Sequence, residues 1–327
     1  MSDDSQMKAA MVRRYGGPEM VRLETVPRPV LKAGALRVRV CATPVTAGDV
    51  RVRSGVVPRG YGWLIRLAIG VFGPRQPIPG WGFSGVVESV AGDVTGFSVG
   101  TRVFGLKGFA GGAHAEYLTI PATGTVLPLP EDLSFEEGAA FFFGGLTAAD
   151  FLIDKAAMQR GERLAIVGAT GSVGTAAISI AKHLGLTVTA VASKENHALA
   201  RSLGADAVVD YRTQQLEGEF DGILDVMGSL PRARALSLLR PGGRLMPVTP
   251  TLLDSLGASL RPRRGHTRIT GSTTSEAKEK LVRLVELHRA GGYRPVVGRT
   301  LPFSEIAEAH RIAQGWHKQG NLVLKLA

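Results

Sequence analysis

The chain has 327 residues, of which 44% are hydrophobic, and it carries a formal net charge of +11. This length is typical of about two domains, and the hydrophobic content is enough to bury sizeable cores. No stretch reaches the roughly 18 unbroken apolar residues that a membrane helix needs. The opening stretch MSDDSQMKAAMVRRYG lacks the apolar region of a secretory signal, so we expect a cytoplasmic protein.

The basic charge does not point to a nucleic-acid partner. Lysines and arginines are scattered, and their densest cluster, RPRRGHTR (261–268), has no interleaved aromatic residues. A solvated basic surface is therefore favoured over a nucleic-acid site. The chain has one cysteine, Cys41, which excludes an internal disulfide and argues against a cysteine-based metal site.

The first third of the chain has the pattern of short strands. In ALRVRVCA (35–42), apolar residues alternate with Arg37 and Arg39, which predicts a half-buried strand. Short strands separated by Gly and Asp turns are predicted within 85–105, and another strand at 113–120. Because few long helices are predicted here, we expect a small, irregular β-barrel over residues 1–122.

Strands and helices alternate after a Pro- and Gly-rich boundary near residue 122. Six strands are predicted, in RLAIVGA, TVTAVA, AVVDY, DGILDVMG, RLMPVT and RITGS (268–272). Helices are predicted in GSVGTAAISIAKHL, NHALARSLG, RARALSLLRPGG and SEAKEKLVRLVELHRAGG. This rhythm predicts an α/β domain over 123–290, a doubly wound parallel sheet covered by helices. The tail 291–327 ends in a strand and is expected to pack back on the first domain.

Three glycines lie between the first of these strands and its helix. Gly168, Gly171 and Gly174 have the spacing G-x-x-G-x-x-G. Such a turn lets the backbone approach a pyrophosphate, which the helix N-terminus stabilises through free N–H groups and its dipole. We therefore predict a dinucleotide site, with a purely structural turn as the alternative. The predicted site also includes Thr170, Ser172 and Val173.

The end of the next strand indicates which dinucleotide binds. An NAD site usually has Asp or Glu here to hold the ribose 2′-hydroxyl, whereas this chain has Ser193, Lys194 and Asn196. A hydroxyl, a cation and an amide suit the 2′-phosphate of NADP(H). Tyr211, after the third strand, is predicted to close over the adenine side. In the alternative, Lys194 is solvated and Glu195 holds the ribose of NADH.

Segments along the whole chain match a known superfamily in order and spacing. They are MKAAMVRRYGGPE, IPGWGFSGVVESV, GGAHAEYL, LSFEEGAAFFFGGLTA, IVGATGSVGTAA, RSLGADAVVDYR and GNLVLKL. On these motifs the chain resembles the medium-chain dehydrogenase/reductase superfamily, in its zinc-free, quinone oxidoreductase-like (zeta-crystallin-like) branch. The resemblance implies a GroES-like catalytic domain, a Rossmann domain, a cleft between them and, usually, a homodimer.

The same motifs bear on zinc. Zinc-dependent relatives carry a Cys before x-x-Asp and a Gly-His-Glu motif, whereas this chain has Thr46 at the first position and Trp81 and Gly82 at the second. A zinc site needs three or four converging N, S or O ligands, and none can be assembled from the sequence. Cys41 lies in the alternating strand and is expected to be a small core residue. Metal-free chemistry is therefore predicted.

Chemistry without a metal favours a conjugated acceptor. The enolate charge that develops on an enone is spread, so hydrogen-bond donors can stabilise it, whereas a simple ketone lacks its Lewis acid. The prediction is an NADPH-dependent reductase of quinones or α,β-unsaturated carbonyls. Two alternatives stay open. One is an NADP(H)-dependent alcohol or aldehyde dehydrogenase, and the other is a cofactor-binding protein with little turnover, serving as a redox sensor, structural protein or RNA-binding module.

The resemblance and the residue chemistry suggest three further site residues, Thr147, Thr46 and Asn321, and a structural role for Asp49. Thr147 in GGLTA matches the position near the nicotinamide ribose and carboxamide, although a helix-start threonine could simply cap. Thr46 stands at the cleft position and could bond the carbonyl or the ribose, with a turn threonine as the alternative. Asp49 is expected to cap a helix rather than act as an acid. Asn321 in GNLVLKL is assigned to the cofactor site.

The proton donor is not identified. Some relatives have a tyrosine two residues beyond the aspartate, where this chain has Arg51. Arg53 could stabilise negative charge, although a solvated arginine is favoured, and His114 could act as a catalyst, although a lone histidine is more often structural. The segment 60–77 could line an apolar acceptor pocket or pack in the core or a dimer contact. Its apolar residues are Tyr61, Trp63, Leu64, Leu67 and Phe72.

Overall fold

The computed structural model describes residues 5–56, 70–108, 111–249, 268–269, 277–315 and 318–326. The strands are β1 (Gln6–Val12), β2 (Val21–Pro27), β3 (Ala35–Val45), β4 (Gly82–Val90), β5 (Arg102–Leu106), β6 (Tyr117–Pro121), β7 (Val126–Pro128), β8 (Arg163–Val167), β9 (Thr187–Ala192), β10 (Ala207–Asp210), β11 (Phe220–Asp225), β12 (Leu239–Pro247), β13 (Arg268–Ile269), β14 (Val297–Pro302) and β15 (Asn321–Lys325). The helices are α1 (Ala47–Ser54), α2 (Phe135–Ala149), α3 (Ser172–His183), α4 (His197–Ser202), α5 (Arg232–Ser237), α6 (Lys278–Arg289) and α7 (Ile306–Gln314).

The first sheet has the order β14-β15-β3-β4-β5-β7, and β6 also pairs with β3. Its pairings are antiparallel except that of β14 with β15. Leu36, Val38 and Val40 of β3 are buried and Arg39 is exposed, which confirms the predicted alternation. Because side chains alternate across a strand, Cys41 falls on the arginine side and is only half-buried. Its prediction as a core residue is therefore wrong.

The second sheet has six parallel strands in the order β10-β9-β8-β11-β12-β13. In this doubly wound order, ligands bind at the switch point, here between β8 and β11. In β8, Leu164 and Ile166 pack into one hydrophobic core, and Ala165 and Val167 into another. Helices thus cover both faces of the sheet, as the continuous apolar run predicts. The predicted α/β domain is confirmed, and β13 lies within the predicted 268–272.

The helix that follows the glycine turn also agrees with the prediction. α3 begins at Ser172, and the predicted apolar face, which includes Val173 and Ile178, is buried. Gly185 follows the end of the helix with φ = 77°, a left-handed conformation that glycine adopts without strain. The face of α6 formed by Leu281, Leu284, Val285 and His288 is likewise buried.

One predicted helix end is wrong. We predicted that residues 241–243, Pro-Gly-Gly, close the helix in RARALSLLRPGG, but α5 ends at Ser237 and these residues lie inside β12. The pairing of β12 with β11 shifts register between Phe220 and Gly222. Gly242, with φ = 81°, lies in the extra length that this irregularity gives β12. Pro and Gly therefore mark a strand irregularity here.

Helix α2, which was not predicted, joins the two large sheets, while β1 and β2 pair in a separate two-stranded sheet. Helix α2 packs on β3 and β4 of the first sheet and on α3 of the second. Gly144 makes the second contact possible, because a Cβ there would lie 2.1 Å from the carbonyl oxygen of Ser172. β7 (Val126–Pro128), β14 and β15 all belong to the first sheet. The exact domain limits of 1–122 with 291–327, and of 123–290, stay a prediction.

Part of the predicted acceptor segment lies outside the described residues. This applies to Tyr61, Trp63, Leu64 and Leu67, and also to the basic cluster up to residue 267. Phe72 is described and is 93% exposed, so it does not pack in the core. Within the part of the chain that the structure describes, no helix has the length and apolar character to cross a membrane.

Candidate active site

The three glycines of the turn lie in different surroundings. Gly168 has φ = 80°, a conformation that other residues rarely adopt. At Gly174, a Cβ would lie 2.2 Å from the carbonyl oxygen of Gly168, so α3 could not pack this closely on β8. At Gly171, φ is −78° and a Cβ would meet only that oxygen, at 3.8 Å. The described protein leaves space at Gly171, and the approach of a pyrophosphate fits this space.

The start of α3 offers hydrogen-bond donors beside this space. Its N-cap, Gly171, has no side chain to satisfy the first N–H groups. The Ser172 hydroxyl donates to the Gly320 carbonyl (3.0 Å), and the Gly320 N–H donates to the Thr170 carbonyl (2.8 Å). Val173 packs into the core. The turn therefore fits the phosphates of a dinucleotide, and Thr170 and Ser172 link it to the first sheet's last strand.

Polar groups gather where β9 ends. Ser193 is buried and Lys194 is exposed. The Asn196 amide donates to the Ser193 hydroxyl (3.1 Å), and Gln319 donates to the Asn196 amide oxygen (2.6 Å). These contacts hold Asn196 between the second sheet and the segment before β15.

A cation that the sequence analysis did not single out lies beside them. Arg212 donates to Glu195 (Nη1 to Oε1, 2.6 Å), and both residues are exposed. Hydrogen bonds from its own backbone, from Ser193 and from Arg212 lower the pKa of Glu195 to about 2. The Arg212 guanidinium carbon also lies 5.7 Å from the ring centre of Tyr211, which is half exposed. The available signal was a basic residue directly after Tyr211.

Thr147 lies in the last turn of α2, so its description as a helix-start threonine is wrong. Its hydroxyl donates to the Phe143 carbonyl (2.7 Å), a contact within the helix. Gly144, one turn earlier, is packed on Ser172 at the start of α3. Thr147 is thus carried on the helix that touches the glycine turn.

Thr46 and Asp49 form the start of α1. The Thr46 N–H and hydroxyl donate to the Asp49 carboxylate (2.8 and 2.7 Å), and the Asp49 N–H donates to the Thr46 hydroxyl (3.3 Å). The other carboxylate oxygen accepts from the Gly80 N–H (3.1 Å). Both residues are buried. The prediction that Asp49 caps a helix is confirmed, and Thr46 is its partner in a capping box.

Arg53 of α1 and His114 lie near a third buried residue, His310 of α7. His114 Nε2 lies 3.0 Å from the Pro44 carbonyl oxygen, and the two imidazole rings are 5.9 Å apart. Arg53 donates to the Gln314 side chain (2.5 Å). Its other nitrogens, Nε and Nη1, and both ring nitrogens of His310 have no hydrogen-bond partner among the described residues. Arg53 is fully buried, so the favoured interpretation as a solvated arginine is wrong.

Burial changes the protonation of this cluster. Desolvation lowers the pKa of Arg53 and lowers that of His310 well below its ordinary value. Electrostatic interactions with His114 and with the Arg53 guanidinium lower the pKa of His310 further. His310 is therefore a neutral imidazole near neutral pH.

Lys318, which the sequence analysis missed, reaches the start of α1. Its ammonium donates to the Val45 carbonyl (3.2 Å), and Val45 directly precedes Thr46. Desolvation lowers the pKa of Lys318 to about 8, although the charge of Asp49 acts in the opposite direction. No local pattern marks this lysine, because 273 positions separate it from Val45.

Asn321 lies at the start of β15. Its backbone N–H and its amide nitrogen both donate to the Val296 carbonyl oxygen, at 2.8 and 3.0 Å. These bonds hold the segment after Gly320 in place. The direct cofactor contact assigned to Asn321 stays a prediction.

The described residues do not form a zinc site. No group of three or more His, Cys, Asp or Glu side chains converges among them. Thr46 and Gly82 have no nitrogen or sulfur ligand to offer, and His114 Nε2 is within hydrogen-bond distance of a backbone carbonyl. This donor set does not fit tetrahedral zinc.

Comparisons with known proteins agree with this architecture. Residues 32–131 match the alcohol dehydrogenase GroES-like domain, and residues 203–324 match a family described as zinc-binding dehydrogenase. A quinone oxidoreductase from Pongo abelii is 31% identical, with 98% of each chain covered. The structure of the quinone oxidoreductase from Coxiella burnetii has a TM-score of 0.84 and 27% identity, covering 98% of this chain and 100% of that one.

A mycobacterial protein, Rv1454c, solved in complex with NADPH, is also similar. It has a TM-score of 0.78 and 26% identity, and the match covers 98% of this chain and 100% of that one. The first sheet is thus the GroES-like domain, and the second is the Rossmann-like domain. The chain belongs to the medium-chain dehydrogenase/reductase superfamily, in its quinone oxidoreductase-like family, and is an oxidoreductase with a site for a nicotinamide dinucleotide.

Proposed function

We propose that this protein is a zinc-independent, NADPH-dependent reductase that transfers hydride to quinones or α,β-unsaturated carbonyls. The observation that carries the proposal is that the dinucleotide turn and the start of α1 are held side by side. Gly320 bonds Thr170 and Ser172 at the turn, while Lys318, two residues away, bonds Val45 before α1. The similarity to quinone oxidoreductases supports this class of acceptor.

The preference for NADPH rests on charge at the ends of β9 and β10. Arg212 and Lys194 are exposed cations, and Ser193 adds a hydroxyl. Arg212 neutralises Glu195, the acid that would otherwise repel a 2′-phosphate. Charge-assisted hydrogen bonds from arginine and lysine suit a phosphate better than a ribose hydroxyl.

A nicotinamide, when bound, supplies the hydride. The chain's own residues hold and orient the reactants. The Thr147 hydroxyl donates its hydrogen bond to the Phe143 carbonyl. Its oxygen can therefore still accept a hydrogen bond from the carboxamide or ribose. The Thr46 hydroxyl donates to Asp49, so a contact with the acceptor carbonyl requires this hydroxyl to turn away from Asp49.

We propose that Arg53 and His114, which were predicted as catalytic residues, act through the charge and packing of the cleft without touching the acceptor. Arg53 lies on α1 and His114 packs against His310 of α7, and the Arg53 guanidinium has spare donors. From this position, a fixed positive charge would favour negative charge that develops in the cleft.

The experiment is NADPH oxidation with a simple quinone, an enal and, in the reverse direction with NADP+, an alcohol. Turnover with the enal or the quinone supports the proposal. Turnover with alcohols alone would show a dehydrogenase instead, and tight NADPH binding without any turnover would show a cofactor-binding protein.

The cofactor preference has its own test in Arg212→Gln. Loss of a charge-assisted bond of about 1.5–3 kcal/mol should weaken NADPH binding by at least about 10-fold and leave NADH binding unchanged. Arg201→Gln, an exposed arginine on α4, is the matched control and should change neither affinity. Equal losses for both nucleotides would contradict recognition of the 2′-phosphate.

We also propose a cytoplasmic homodimer that acts on a small molecule, with no membrane or nucleic-acid partner. Light scattering coupled to gel filtration measures the oligomeric state. A monomer at micromolar concentration would contradict the dimer.

A further inference from the structure

Residues 318–321, here called the C-terminal bridge, connect three parts of the site. Gln319 donates to Asn196 at the end of β9 (2.6 Å), and Gly320 pairs with Gly171 at the dinucleotide turn. Lys318 donates to the Val45 carbonyl (3.2 Å), directly before α1. The bridge therefore places one cationic side chain between the turn and the start of α1.

The surroundings of Lys318 make its proton exchangeable near neutral pH. It is partly buried, and its one hydrogen bond among the described contacts goes to a neutral carbonyl. Asp49, on α1, is the one charged group among the described residues that acts on it. Asp49 already accepts bonds from Thr46 and Gly80, so it does not neutralise Lys318 as an ion-pair partner would.

We propose that the Lys318 ammonium binds the carbonyl oxygen of the acceptor and donates the proton that completes its reduction. This inference rests on the proposed function. It gives Lys318 the proton-donor role for which some relatives have a tyrosine where this chain has Arg51. The pKa of Lys318, lowered to about 8, supports it, because a donor works best when its pKa lies near the working pH.

The step balances for an enone. A hydride released as a C–H bond of a bound nicotinamide breaks would form a C–H bond at the β-carbon, and the π electrons of the C=C bond would move to give an enolate. An N–H bond of Lys318 breaks as an O–H bond forms on the enolate oxygen. The neutral amine then takes a proton from water, which restores the ammonium.

Other groups near the start of α1 are less suited to this role. The Thr46 hydroxyl already donates a hydrogen bond to Asp49, and Asp49 as a carboxylate only accepts. Arg51 and Arg53 carry guanidinium groups, which do not release protons in this pH range. His114 lies within hydrogen-bond distance of the Pro44 carbonyl and is fully buried. Lys318 is thus the best-suited proton donor among the described residues of this region.

The test compares Lys318→Met, Lys318→Arg and the control Lys325→Met. Lys325 lies on the same segment of chain, and its side chain is largely exposed. In the wild type, kcat for an enone should fall as the pH rises through about 8, because the ammonium is the active form. Lys318→Met should lower kcat about 100-fold, remove this alkaline limb and change the KM for NADPH less than about 3-fold.

Lys318→Arg separates charge from proton transfer. It should keep part of the acceptor binding but lack the alkaline limb, because arginine stays protonated. Lys325→Met should match the wild type. If Lys318→Met keeps the wild-type kcat and alkaline limb, Lys318 is not the proton donor.

A second readout does not depend on turnover. Lysines labelled with ¹³C-methyl groups can be titrated by NMR, with the Lys318 signal assigned by its absence in Lys318→Met. A pKa near 8 is expected, and an ordinary value of about 10.4 would overturn the proposal. A wild type that reduces neither enones nor quinones would instead overturn the proposed function, which is distinct from an active wild type with an equally active variant.

Discussion

The two halves of the candidate site are built in different ways. The dinucleotide half comes from one continuous unit, β8, the glycine turn and α3, followed by the end of β9. The cleft half gathers Thr46, Arg53, His114, His310 and Lys318 from four separate segments. In the first half, backbone groups face the space for a ligand. The second half consists of buried or partly buried side chains, and several of their nitrogens have no hydrogen-bond partner among the described residues.

This difference teaches where binding and chemistry can change independently. A local turn keeps its geometry as long as its own glycines are kept, because its shape is set by the backbone. The cleft depends on contacts between segments far apart in sequence, and its charged groups carry pKa values that burial has shifted. Substitutions in the two halves should therefore have different signatures.

The largest effect is expected for Gly174→Ala. The new Cβ would lie 2.2 Å from the Gly168 carbonyl oxygen, so α3 must move away from β8. Overpacking of this kind should lower the free energy of unfolding by about 3 kcal/mol and abolish NADPH binding. Chemical denaturation and a fluorescence titration measure the two effects.

Gly171→Ala is the matched control in the same turn. Its Cβ would meet one atom at 3.8 Å, so stability should be unchanged while NADPH binding weakens by about 10-fold. Unchanged affinity would mean that no ligand approaches Gly171.

In the cleft, Lys318→Met should stabilise the protein. The pKa of Lys318 is about 8 in the folded chain and about 10.4 when unfolded. Between these pH values the unfolded state binds more protons than the folded state, so the wild-type free energy of unfolding should rise with pH. Below about pH 8 the full cost of burying the charged ammonium is present. At about pH 7 the variant should gain about 2 kcal/mol, measured by urea denaturation. A loss of stability would mark Lys318 as a structural residue.

Arg53→Met tests whether the buried guanidinium serves stability or turnover. Replacing a buried, incompletely paired charge by an apolar side chain should raise the free energy of unfolding by about 1–2 kcal/mol. If Arg53 supports catalysis, kcat should fall at the same time. Higher stability with an unchanged kcat would remove Arg53 from the catalytic candidates.

The smallest effect concerns His310 in acid. Its pKa is lowered in the folded protein, so below about 6.5 the unfolded state binds a proton that the folded state does not. Wild-type stability should fall by up to about 1.4 kcal/mol per pH unit in this range, and His310→Leu should flatten the slope. His183→Leu, an exposed histidine, should keep the wild-type slope. Urea denaturation between about pH 7.5 and 5.5 decides this.

The sequence was sufficient wherever structure is local. The glycine spacing identified the turn, and the strand–helix rhythm identified the second sheet in all six strands. Asp49 was expected to cap a helix, and it does so in a capping box with Thr46. These features depend on neighbours within a few positions, so composition and spacing contain them.

The errors arise where tertiary contacts decide. Lys318 and Val45, or Arg53 and Gln314, are more than 250 positions apart, and no pattern links them. The Pro-Gly-Gly at 241–243 stopped a helix in the prediction, but strand pairing with β11 absorbs it in a register shift. The burial of Arg53 could not be predicted, because a charged residue in a polar helix is normally exposed.

The position of β15 has a consequence for biosynthesis. This strand lies between β14 and β3 inside the first sheet, and Gly320, just before it, is hydrogen-bonded to the glycine turn. During translation, the first sheet therefore stays open until residues 318–325 leave the ribosome. The Rossmann-like sheet does not depend on β15, so it can form first. The cleft between the glycine turn and α1 forms last, because it needs contacts between segments that are far apart in the chain.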